Sequence, residues 1–73
     1  MKIFGKFLQG LREEVSLEAE EAATKLSIDS SKLRSWEEGR ELPPERALDQ
    51  ISKLYRIRYA ELREVWENEQ KES

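Results

Sequence analysis

Seventy-three residues, 37% hydrophobic and 40% charged with a formal net charge of -3, fit one small helical domain with a thin core. Cysteine and histidine are both absent, which excludes disulfide staples, Cys/His metal sites and nucleophiles activated by an imidazole. No enzyme activity, metal, cofactor or small-molecule ligand is therefore expected, and no apolar run approaches the roughly 18 residues of a membrane span.

Apolar residues recur at helical spacing from the start. Ile3, Phe4, Phe7, Leu8, Leu11 and Val15 mark one face of a first helix, weakened at Gly10 and interrupted at Ser16 and Leu17. A second, short helix is expected over about Glu18 to Leu26, where Ala19, Ala22, Ala23 and Leu26 form a small-residue face. Ser27 and Ile28 make a tight turn. Asp29 is placed to cap a third helix running to about Glu37, with Leu33, Trp36 and Glu37 on one side. Gly39 fits the left-handed position beyond a helix end. Pro43 and Pro44 then open a fourth helix, about Pro44 to Tyr55, with apolar positions Ala47, Leu48, Ile51, Leu54 and Tyr55. A fifth helix, about Tyr59 to Glu69, carries Tyr59, Leu62, Val65 and Trp66 on one stripe. The polar tail, residues 70–73, is expected to fray, leaving one all-α domain over residues 1–69.

The stretch "LREEVSLEAEEAATKLSIDSSKLRSWEEGRELP", with its "WE-x-G" helix end, and the later "ISKLYRIRYAELR" resemble the Cro/C1-type helix-turn-helix family, also called lambda-repressor-like or XRE. The resemblance covers about Phe4 to Leu62 and implies a compact five-helix domain with its helix-turn-helix at about residues 18–37. It implies an ion pair between Arg12 and Glu37 that braces the first helix against the third, and a packing set of Ala23, Leu26, Ile28, Leu33 and Trp36. It also puts Ser30, Ser31 and Ser35 at base-contacting positions, with Lys32, Arg34 and Arg40 on the same recognition surface. At about 100° per residue, with Leu33 and Trp36 inward, Ser31, Arg34, Ser35 and Glu38 turn most directly outward. Serine can contact any base edge and so specifies little.

The departures from the family pattern fall on that surface. Glu18 and Ala19 stand where a Ser or Thr and then a Gln commonly hold a phosphate, and Glu38 stands where Asn often donates to one. From Leu17 to Glu41 four cations meet seven acids, so the motif carries the whole of the net charge of -3. DNA binding depends on cations that displace phosphate counterions, and few are offered here. Ser27 replaces the usual turn glycine, and Arg56 and Arg58 replace the Gly or Asn and the Ser or Thr expected between the fourth and fifth helices.

The expected function is a transcription regulator with an acidic, degraded DNA face, acting mainly by protein contact in the cytoplasm of a bacterial or phage-infected cell. The chain is similar in size and charge to compact phage-encoded inhibitors of host RNA polymerase, which makes that enzyme a candidate partner. Lys53, Tyr55, Arg56, Arg58, Tyr59 and Arg63 form a candidate partner patch, because Arg and Tyr are favoured interface anchors. The plainer reading packs the tyrosines and solvates the arginines. A dimeric repressor reading an operator through Ser30, Ser31, Lys32 and Ser35 is the alternative, and an antitoxin-like accessory module differs only in partner.

Overall fold

The computed structural model describes residues 3–72. Five α-helices follow in order: α1 (Phe4–Glu14), α2 (Ala19–Lys25), α3 (Ser30–Glu37), α4 (Leu48–Tyr55) and α5 (Tyr59–Glu72), with one 3-10 turn, Glu45–Ala47, leading into α4. No strand occurs among the described residues. The fold is the all-α, lambda-repressor-like arrangement that the resemblance implies.

One core holds the helices together. Phe4 and Leu8 of α1, Ala22 and Ala23 of α2, Leu33 and Trp36 of α3, Leu48, Ile51 and Tyr55 of α4, and Leu62 and Trp66 of α5 are all buried. The buried alanines let α2 lie close to α3, the pairing on which the motif depends. Two assignments to the apolar faces need correction. Ile3 precedes α1 and is half exposed, and Tyr59, at the first residue of α5, is also exposed.

Four helix ends close in the same way. Ser16, Ser27, Gly39 and Arg56 adopt left-handed φ values of 60, 61, 82 and 59°, each just beyond α1, α2, α3 and α4. The next amide reaches back to the carbonyl five residues earlier: Leu17 to Arg12 (3.2 Å), Ile28 to Ala23 (2.9 Å), Arg40 to Ser35 (3.0 Å) and Ile57 to Ser52 (3.0 Å). This is the Schellman closure, and Leu17, Ile28 and Ile57 supply the apolar contact that accompanies it. Glycine occupies only one of these four positions.

Long-range contacts seal the chain ends. The Glu69 carboxylate accepts from the amides of Ile3 (2.7 Å) and Phe4 (3.0 Å), satisfying donors that open the first turn of α1. Trp66 Nε1 donates to the buried carbonyl of Pro43 at 2.7 Å. Glu69 of α5 thus packs against the start of α1, and the helix extends to Glu72 rather than ending near Glu69. Of the segment expected to fray, Ser73 lies outside the described residues.

Candidate nucleic-acid interface

The platform under the recognition helix is the Arg12–Glu37 pair. Arg12 Nε donates to Glu37 Oε2 at 2.8 Å and Nη2 donates to Oε1 at 3.2 Å, while Nη1 holds the Leu17 carbonyl at 2.8 Å. One guanidinium thus ties the end of α1 to both flanks of the motif. The hydrogen bond to Glu37 raises the Arg12 pKa further above its ordinary value, against the opposing effect of burial. The pair is structural, as the resemblance implies.

Tyr55 lies beside this brace. It is 3% exposed and its hydroxyl finds no hydrogen-bond partner among the described residues. Burial, and then the charge of Glu37, push the phenol up to about 12, with Arg12 pulling the other way. Tyr55 is therefore core and is removed from the partner patch.

On α3, Ser31, Lys32 and Arg34 are exposed, but Ser30 and Ser35 are half-buried. Ser35 is less outward than helical geometry alone implies, because the chain folds back past α3 and the Arg40 amide bonds the Ser35 carbonyl. Asp29 occupies the N-cap position with extended backbone, yet its side chain makes no capping bond. Glu18 caps α2 in position, and the Glu21 carboxylate reaches back to accept from the Glu18 amide at 3.1 Å.

Cations on this surface are partly neutralised from within. Lys32 Nζ meets Glu41 Oε1 at 3.1 Å, and Arg40 Nη2 meets Glu38 Oε1 at 2.6 Å. Among the described residues Arg34 makes no ion pair and remains the uncommitted cation of α3. A groove of about 520 Å³ runs beside α3, walled by Lys32, Trp36, Glu41, Leu42, Arg46 and Gln50. Arg46 is exposed and makes no ion pair among the described residues. Sequence reasoning missed it, since its position near α3 depends on how the 38–47 segment turns.

The remaining patch residues differ in whether they are already paired. Arg63 is held by Glu45 (2.7 Å) and Glu67 (2.7 Å), and Lys53 by Asp49 (3.2 Å). Arg56, Arg58 and Tyr59 are exposed, and neither arginine makes an ion pair among the described residues.

No helix among the described residues is long and apolar enough to cross a membrane. Neither a curated protein nor a solved structure matches the chain. A family of helix-turn-helix domains matches residues 3–66, nearly the whole length. That span takes in the brace, the α2–α3 pair and all but the last turns of α5, and its fold is one of DNA-binding transcription regulators, not typically enzymatic. The chain belongs to the helix-turn-helix domain family.

Proposed function

We propose that this transcription regulator holds duplex DNA weakly on its own and acts mainly through contact with a protein of the transcription machinery, with RNA polymerase the first partner to try. The observation that carries this reading is the acid on the recognition surface: Lys32 and Arg40 each already face a carboxylate of the same surface. Exposed ion pairs are worth at most about 1 kcal/mol, so the pairs themselves are no barrier. The surplus acid is. A phosphate approaching Lys32 or Arg40 meets Glu41 or Glu38 beside it, and Glu18 stands at the start of α2, where a hydrogen-bond donor is needed.

The second reading, an operator-binding dimer, is favoured by Arg34, exposed between Ser31 and Ser35, without an ion pair among the described residues and able to read guanine. Fluorescence anisotropy with labelled random duplex, over a range of salt, separates the two. Weak binding with a shallow dependence on salt, together with retention of RNA polymerase subunits from a bacterial lysate, supports protein contact. Nanomolar, sequence-selective binding by the unmodified chain gives Ser30, Ser31, Lys32 and Ser35 back to the major groove.

A further inference from the structure

We propose that the groove between α3 and the start of α4 docks the partner protein, and that it takes a short segment carrying a large apolar side chain beside acidic ones. The inference rests on the reading that protein contact dominates, and it supplies the chemistry of that partner. The groove encloses about 520 Å³, a volume typical of binding pockets. Its apolar lining comes from Ile28, Leu42 and Ala47, together with Trp36. The first three are only half-buried: each packs against the core and still meets solvent. An apolar side chain seated among them is removed from water without any helix having to move.

The charges choose the occupant. Lys32 and Glu41 line the groove but answer each other at 3.1 Å. Arg46 lines it as well, is exposed, and bonds to nothing among the described residues. The acids beside it in sequence are already matched, Glu45 by Arg63 and Asp49 by Lys53. The lining therefore sets two cations, Lys32 and Arg46, against one acid, Glu41, on a surface where acid otherwise prevails. Asp29 borders a smaller recess that shares Ile28 and Lys32 with the groove, and it makes no ion pair among the described residues. A carboxylate is thus received at Arg46 and opposed near the start of α3, which orients the segment.

Gln50 lies four residues beyond Arg46 on the same wall, exposed and without a hydrogen bond among the described residues. Its amide is free to donate to a second carboxylate or to the backbone of the segment. A basic segment would be opposed by Arg46. A phosphate backbone brings the charge that Arg46 answers but no apolar side chain for Ile28, Leu42 and Ala47. An acidic segment with an apolar anchor satisfies both halves of the groove.

Two-dimensional 15N NMR of the full chain tests this, with a capped six-residue peptide as the probe: two aspartates, a phenylalanine, a leucine and two more aspartates. Titration to about 2 mM peptide should give saturable shifts at the amides of Ile28, Leu42, Arg46 and Gln50. Replacing the four aspartates with lysines, or the two apolar residues with alanines, should weaken binding at least about tenfold. Gln50→Glu should weaken binding of the acidic peptide and Gln50→Arg should tighten it, each about threefold or more. The Gln50 side chain is exposed, so neither change threatens the fold. Retention of RNA polymerase subunits from a bacterial lysate by the same variants separates the site from the reading beneath it. Retention that falls with Gln50→Glu supports both, and retention indifferent to it overturns the site while protein contact stands. No retention, with saturable peptide binding at the groove, overturns contact with polymerase while the site stands. Shifts confined to other residues, equal binding of the lysine peptide, or random duplex that competes the peptide off these amides at equal concentration would each overturn the docking proposal.

Discussion

The Arg12–Glu37 pair has side chains only 13% and 9% exposed, which makes it costly to break by halves. Arg12→Ala and Glu37→Ala should each destabilise by about 2–4 kcal/mol, because each leaves an uncompensated charge near the core. The double variant should lose less than the sum, and additive losses in denaturant melts would mean that the two groups are not coupled. Tyr55 behaves differently, since its hydroxyl is buried without a partner among the described residues. Tyr55→Phe should be neutral or stabilising by up to about 1 kcal/mol at neutral pH. The pH dependence has a definite sign. The folded-state phenol is raised from 10.0 to about 12, so the folded chain binds that proton more tightly than the unfolded chain. This contribution to stability is complete below about pH 10 and is lost as the pH rises toward 12. Thermal midpoints of the unmodified chain should therefore fall more steeply over that window than those of Tyr55→Phe. Parallel curves would mean that Tyr55 titrates normally.

At the level of helices, the turns between them set both the stability and the legibility of the fold. Ser16→Gly, Ser27→Gly and Arg56→Gly should each stabilise by up to about 1 kcal/mol, since each relieves a Cβ of left-handed strain, whereas Gly39→Ala should cost about as much. Urea midpoints across the four variants check this, and a loss at Ser27→Gly would reveal a bond made by the serine side chain. Helical periodicity and the proline pair were enough to locate five helices, and Gly39 marked one left-handed end. Ser16 was harder to read, because serine does not favour the conformation it adopts, whereas Arg56 was marked by standing where the family pattern has Gly or Asn. Gly10 attracted notice for its low helix propensity, but nothing crowds it. Gly5 is the glycine that packing requires: a Cβ there would sit 2.7 Å from the Trp36 carbonyl oxygen and closer still to that of Glu37. Gly5→Ala should cost about 3 kcal/mol, as backbone cannot yield as a flexible side chain does. A midpoint close to the unmodified chain's would show that α1 can shift away from α3. Periodicity does not reveal such close approaches, since they depend on where two helices cross.

For the whole molecule, the question is whether charge on the recognition surface governs its attraction to DNA. The residues of that surface were legible from their alignment with the family pattern, and the Arg12–Glu37 brace was found as expected. Which cations are committed was not legible, because Lys32–Glu41 and Arg40–Glu38 arise from the path of the loop after α3. Those pairs sharpen the deciding experiment. Replacing Glu18 with Ser, Ala19 with Gln and Glu38 with Asn restores hydrogen-bond donors at the start of α2 and the end of α3. It also removes two negative charges and releases Arg40 from its carboxylate. Glu18 and Glu38 are exposed and Ala19 is half-buried at the edge of the core, so the fold should be retained, which circular dichroism would check. If acid is what repels DNA, the triple variant should bind random duplex more tightly than the unmodified chain. Its log K should also fall more steeply with log[salt], by roughly 0.9 for each additional phosphate engaged. Gln at position 19 and Asn at position 38 are neutral donors that position the duplex without releasing counterions, so the steeper slope should come mainly from the freed Arg40. Adding Arg40→Ala to the triple variant should then return the slope to its original value while leaving part of the gain in affinity. An affinity and slope unchanged by the triple substitution would mean that charge at these positions does not limit binding, and that the weakness of the surface lies in its serines.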